Sequence, residues 1–225
     1  MLNNDLNRGN VLLLSQHDNK IGHASIVQAM KGSKGKRVGY IASEPDTNRI
    51  FYNACKTVYE KLGFEMNVYL ELEDEYNEQS VEALFNCDAV HLSGGDTFRF
   101  LKGLQTRGLL HRISEFNLSG GIVIGVSAGA MIITPSIESA FLCGDKNTVN
   151  LTDFTGLHLV NLRFIPHVNK LIIDGALPNT WDCDVFFCSD YDGILIKNEQ
   201  LQYIGEPIKI NAESQGKFLL RELAI

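Results

Sequence analysis

The sequence predicts a three-layer α/β sandwich with a mostly parallel central sheet and an antiparallel C-terminal extension. Three observations predict it. Short apolar, β-branched runs alternate with amphipathic stretches through the first half of the chain. The run 122–126 leads straight into a small-residue turn and a helix-compatible segment. Residues 185–220 then carry closely spaced short strands at hairpin-like intervals.

Taken in order, 10–15 (NVLLLS), 37–42 (RVGYIA), 66–72, 89–92 and 122–126 read as strands. Helices are expected between them at about 22–31, 47–62, 78–86, 97–106 and 109–117. Beyond the helix that follows Ser127, loops rich in Asn, Thr, Asp and Gly occupy 144–156. The closing strands are VFFCSD, GILIK, LQYIGE, IKI and KFLL. With no repeat, low-complexity tract or linker, residues 1–225 are expected to form one domain. A chain of this length should bury roughly 70% of its extended surface, enough for a sizeable core.

Composition narrows the function classes. The formal charge is −7, from 20 basic and 27 acidic residues, and it argues against sequence-independent nucleic-acid binding, which needs a basic face. No apolar run approaches the ~18 to 20 residues that span a bilayer, so no membrane is expected as a partner. The start, Met1-Leu2-Asn3-Asn4-Asp5, lacks the basic region of a secretory signal. Cysteines 55, 87, 143, 183 and 188 are odd in number and contain no Cys-x-x-Cys pair. They point to a reducing, cytoplasmic setting and away from zinc or a disulfide frame.

The most informative stretch is Gly125-Val126-Ser127-Ala128-Gly129, a Gly-x-Ser-x-Gly between an apolar strand and a helix. A nucleophile elbow needs that context, because the turn is too tight for side chains flanking the nucleophile. Ser127 Oγ then stands free at the carboxyl end of the sheet, near the first amides of a helix. The bland alternative is an ordinary turn in which Ser127 caps the helix. A second motif, Leu92-Ser93-Gly94-Gly95-Asp96-Thr97-Phe98, follows the strand before it. Its paired glycines let backbone amides approach a ligand, which makes Gly95 N–H a partner for Ala128 N–H in an oxyanion hole. Gly94, Asp96 and Thr97 are the expected substrate-binding residues around it, with Asp96 also capping the next helix.

A serine hydroxyl needs a base. Of the six histidines, His17 and His23 lie in the polar first loop or helix start, and His111 on an amphipathic helix. His91 and His158 adjoin apolar runs, whereas His167 follows the strand-like run 162–166 and would be delivered to a sheet edge. A loop histidine without function is the competing reading of His167. For the carboxylate that orients the base, the chain offers Asp145 between nucleophile and base, or Asp190 and Asp192 after a later strand. Turn aspartates often do no more than bond their own backbone.

At these residues the sequence resembles the peptidase E family of aspartyl dipeptidases, with cyanophycinases as more distant relatives. The resemblance rests on Gly94-Gly95-Asp96-Thr97-Phe98 with Leu101, on Gly125 to Ala130 with Pro135, and on Pro166-His167. It implies a fold like that of class I glutamine amidotransferases, with Ser127 as nucleophile, His167 as base, and Gly95 and Ala128 as oxyanion donors. It also implies a serine-type exopeptidase that removes an N-terminal residue from short peptides, without metal or organic cofactor. For the triad acid it points to Asp145, if a few inserted residues are allowed, or to Asp192, where relatives carry glutamate. Relatives often self-associate, which leaves a homodimer open. Family members selective for N-terminal aspartate carry an Arg-rich segment after the histidine, but residues 168–188 here contain Lys170 and no arginine. An ammonium does not replace a bidentate guanidinium clamp, so the sequence gives no support to aspartate preference. Two rivals remain at this level. One is an esterase of the α/β-hydrolase type, although no HGGG-type oxyanion loop is present. The other is a catalytically degenerate family member that binds a small ligand.

Overall fold

The computed structural model describes residues 8–168 and 181–213. Eight elements lead from the start of this region to the second motif: β1 (Val11–Leu14), α1 (Lys20–Met30), β2 (Arg37–Ile41), α2 (Ile50–Lys61), β3 (Glu65–Leu70), α3 (Glu78–Phe85), β4 (Ala89–Leu92) and α4 (Thr97–Thr106). There follow α5 (Leu109–Leu118), β5 (Ile122–Val126), α6 (Ala128–Ile133), a 3-10 segment (Ile137–Cys143) and the strands β6 (Leu162–Ile165), β7 (Asp184–Phe187), β8 (Gly193–Lys197), β9 (Gln200–Ile204) and β10 (Ile208–Ile210). Every strand and helix expected up to residue 126 is present, with ends moved by a few residues. The start of the expected helix 47–62 is instead a 3-10 turn, Thr47–Arg49, in which Asn48 and Arg49 take positive φ. The proposed strand 217–220 lies outside the described residues.

Local chemistry sets the helix starts. Asn19, Asn77 and Asp96 cap α1, α3 and α4 by accepting from the amides of Gly22, Ser80 and Arg99. Asp46 does the same for α2, taking the amides of Phe51 and Tyr52.

Among the described residues, the central sheet has seven strands in the order β3-β2-β4-β5-β1-β8-β9. The first five are parallel, while β8 runs antiparallel to β1 and β9 antiparallel to β8. Alternation along each strand sends successive side chains to opposite faces. Leu12, Leu14, Ile124 and Val126 pack with Ile26, Tyr52 and Tyr59 of α1 and α2. Val11, Leu13 and Val123 pack on the other face with Leu84, Leu104 and Ile113 of α3, α4 and α5. Three layers result.

The late strands divide in a way the sequence does not announce. Among the described residues, only β8 and β9 extend the central sheet, and β10, β7 and β6 form a separate three-stranded sheet. Within it β6 and β7 are parallel and β10 is antiparallel to β7. Phe164 and Phe186 anchor this smaller sheet to the main core, and Ile165, Val185 and Phe187 face a satellite core with Trp181. Among the described residues, no helix is long and apolar enough to cross a membrane.

Candidate active site

The parallel strands deliver their following residues to one edge, the carboxyl end of the sheet, where open α/β sheets place their sites. Leu14 pairs with Val126, and Leu92 with Gly125, so Ser15, Ser93 and Ser127 come off three strands in near register.

Ser127 is the bend itself. Its φ of 51° and ψ of −109° lie outside the regions favoured by L-residues, and the helix α6 begins at the next residue. Neighbours hold the bend on both sides: Ser127 N–H donates to the Leu14 carbonyl at 2.9 Å and Gly129 N–H to the Ser93 carbonyl at 3.0 Å. The two glycines of the motif are steric necessities. A Cβ at Gly125 would stand 2.5 Å from the Gly129 carbonyl oxygen, and one at Gly129 would stand 2.3 Å from that of Leu92.

The smaller sheet brings the imidazole. His167 lies two residues beyond β6, at φ 60°, with its N–H donating to Ser15 Oγ at 2.8 Å. Ser15 Oγ lies 3.4 Å from the Cys188 carbonyl, and the Ser15 amide donates to the Asp192 carbonyl, so the end of β1 ties both sheets to the histidine. His167 Nε2 lies 3.0 Å from Ser127 Oγ, and His167 Nδ1 lies 2.5 Å from Asp190 Oδ1. A serine hydroxyl, an imidazole and a carboxylate thus stand in one chain of contacts, half-buried at the sheet edge.

The carboxylate differs from the two expected. Since β6 and β7 are parallel with Ile165 paired to Phe187, the segments leaving them emerge side by side, and Asp190 falls level with His167. Asp192 is further round the turn, where its carboxylate accepts the amides of Ser189 at 2.7 Å and Glu206 at 2.8 Å. Asp145 accepts from Thr97 Oγ1 at 2.5 Å, with burial raising its carboxyl above the ordinary range. Neither carboxylate bonds the imidazole. Thr97 is fully buried with its hydroxyl on Asp145, which removes it from the substrate-contacting set. Asp96 is the cap of α4, as its other expected role requires. Ser15 was not among the candidate residues; a serine after an apolar strand carries no signal until the neighbouring strand is known.

Gly94 and Gly95 lie beside the nucleophile. A Cβ at Gly94 would be 3.5 Å from Ser127 Cβ. Ser43 Oγ donates to the Gly94 carbonyl at 2.7 Å, which turns the Gly95 N–H, on the opposite side of that peptide, away from Ser43. Gly95 takes φ 130°, and a Cβ there would fall 2.1 Å from Ser43 Oγ, so glycine is needed twice over.

A cavity of about 430 Å³ opens from Ser127 and His167 towards α2. A larger one, about 710 Å³, lies at the amino ends of the strands around Arg8, Lys31 and Lys197, far from the nucleophile. Under the first cavity, His91 is buried with Nδ1 2.9 Å from the Tyr59 hydroxyl and Nε2 3.7 Å from Cys55 Sγ. A thiol beside an imidazole suggests a second nucleophile, but burial pushes the Cys55 thiol up and the His91 imidazole well down. Both stay neutral, and the pair is part of the packing. Among the described residues, no group of three His, Cys, Asp or Glu side chains converges as a metal site requires.

An α/β sandwich with a strained serine at a strand-to-helix bend, an imidazole against it and a carboxylate behind has the parts that hydrolases with a serine nucleophile use. Residues 11–204 match the model of peptidase family S51, and the chain belongs to that family of peptidases. It is 32% identical over 140 residues to an uncharacterized peptidase of Listeria monocytogenes, covering 61% of this chain and 68% of that one. Against peptidase E of a Nostoc species it is 26% identical over 204 residues, covering 87% and 78%. Escherichia coli peptidase E matches at 35% identity over only 95 residues, 42% of this chain and 40% of that one. Among solved structures, a candidate peptidase E protein from Listeria monocytogenes EGD-e superposes with a TM-score of 0.71 at 24% identity, covering 87% of this chain and 98% of that chain. A peptidase from an acI-B1 Actinobacterium gives 0.66 at 20%, covering 91% and 95%. Both share the fold.

Proposed function

We propose that this peptidase is a serine-type exopeptidase acting on short peptides through Ser127, His167 and Asp190. The observation that carries the reading is the 3.0 Å contact between Ser127 Oγ and His167 Nε2, within hydrogen-bond reach for proton transfer. Ser127 Oγ attacks the carbonyl carbon of the first peptide bond while His167 Nε2 takes its proton. Asp190 accepts from Nδ1–H, which fixes the tautomer and stabilises the imidazolium that forms. The amides of Gly95 and Ala128 hold the oxyanion. The imidazolium then protonates the departing amine, and water, activated by the same base, releases the acyl group and restores the hydroxyl.

Two further features support the reading. The cavity is at the small end of the range for pockets that take small molecules, as a substrate of one or two residues requires. Cys55, Cys87, Cys143 and Cys188 are thiols, which fits action in a reducing cytoplasm. The test is a panel of dipeptides beside a panel of short-chain esters, with wild type and Ser127→Ala. Release of the N-terminal amino acid by wild type, and a loss in kcat of about 10⁶-fold in the variant, is the expected result. Ester cleavage with no dipeptide cleavage would contradict the peptide substrate, and equal rates in the variant would contradict the nucleophile.

A further inference from the structure

The cavity beside Ser127 is electrostatically one-sided. Asp18, Glu44 and Asp46 stand on its rim, and among the described residues no Lys or Arg lines it. The rim carboxylates are incompletely balanced. Asp46 accepts two amides of α2, and Asp18 has His23 at 3.7 Å. Glu44 has Arg99 Nη1 at 3.5 Å, but that guanidinium gives its Nε and Nη2 to Glu73. The buried imidazoles His17 and His91 add no cation either, because burial lowers both.

The floor has the opposite character. Tyr40, Ala42, Cys55 and Val58 are buried there, and Phe51 stands exposed at the mouth. The Glu44 carboxylate also lies close to the reacting centre: its Oε1 is 3.4 Å from the position a Cβ would take on Gly95. In an N-terminal residue the ammonium is attached one carbon away from the carbonyl under attack, so it needs an anion at that short range.

We infer that this cavity receives an N-terminal residue with a free ammonium, held by Glu44, and an uncharged apolar or aromatic side chain laid on the Tyr40, Ala42 and Val58 floor. The inference rests on the exopeptidase reading for what the site does to that residue. An N-terminal aspartate or glutamate is refused. Its side chain would meet like charge at the rim and apolar surface on the floor, and like-charge juxtaposition discriminates strongly where solvent is excluded.

The test is calorimetric titration of the full-length Ser127→Ala protein with Leu-Gly, Asp-Gly and N-acetyl-Leu-Gly. The expected order is Leu-Gly tightest, with the other two at least about tenfold weaker, a difference of about 1.4 kcal/mol. Adding Glu44→Gln should weaken Leu-Gly by about tenfold and leave N-acetyl-Leu-Gly unchanged. Binding of Asp-Gly as tight as Leu-Gly, indifference to acetylation or to Glu44→Gln, or no binding of any ligand overturns the inference. Mass spectrometry of wild type incubated with the same dipeptides separates the two claims. Binding in the expected order without release of free leucine upholds the pocket's selectivity and contradicts the exopeptidase reading alone.

Discussion

Two aspartates of one turn, Asp190 and Asp192, divide the labour between them. Asp190 faces the imidazole, while the Asp192 carboxylate is enclosed by the amides of Ser189 and Glu206 and keeps the turn in shape. Asp190→Asn should therefore lower kcat by about 10³ to 10⁴-fold with the folding midpoint little changed, because an amide no longer selects the productive tautomer. Asp192→Asn should act through stability, costing about 1 to 3 kcal/mol as buried amides lose a charged acceptor. Steady-state kinetics and urea unfolding on both variants check the division, and the opposite pattern would refute it. The sequence offers three aspartates, and the resemblance points to Asp145 and Asp192 and passes over Asp190, the one that contacts the imidazole. The choice depends on which strand runs beside β6, a tertiary pairing that the spacing does not encode. The meeting of Ser127 with His167 was legible because each carries its own local signal, a glycine-flanked bend and a strand end before Pro166-His167.

At the scale of elements, α2 packs over β2 and β4 and seals a polar core beneath the cavity. His91 of β4 stacks on Tyr40 with ring centroids 5.3 Å apart and is 1% exposed. The facing groups are Tyr59 and Cys55 of α2 and the ring of His17, and among the described residues no carboxylate is bonded to the imidazole. Burial, and secondarily the neighbouring His17, hold His91 well below the ordinary 6.5. The folded protein then declines a proton that the unfolded chain accepts. As pH falls below about 6.5 the unfolded state binds more protons, so stability drops by up to about 1.4 kcal/mol per pH unit for each such histidine. His17 is shifted the same way and adds to the slope. Unfolding free energies at pH 7.5 and 5.5 should show this loss, and His91→Gln should flatten it; a slope unchanged by the substitution would contradict the account. The sequence marked His91 only as a residue in an apolar run. Its enclosure appears once α2 is laid against the sheet.

At the scale of the whole molecule, the site exists because two sheets meet. The central sheet presents Ser127, the Gly95 loop and Ser15, and the smaller sheet presents His167 and Asp190. The parallel half was legible because buried parallel strands read as unbroken apolar runs, such as VLLL of β1 and IVIGV of β5, between amphipathic helices. The division of the late strands was not, since a short strand such as β7 carries no mark of which neighbour it will join. The joined sheets bring one serine hydroxyl against an imidazole backed by a carboxylate, so the intact protein should show a single reactive serine. Reaction with a fluorophosphonate followed by intact-protein mass spectrometry and peptide mapping tests this most directly. One adduct per chain, located on Ser127 and absent from Ser127→Ala, is the predicted result. An unmodified wild-type chain, or an adduct that persists in the variant, would contradict the account.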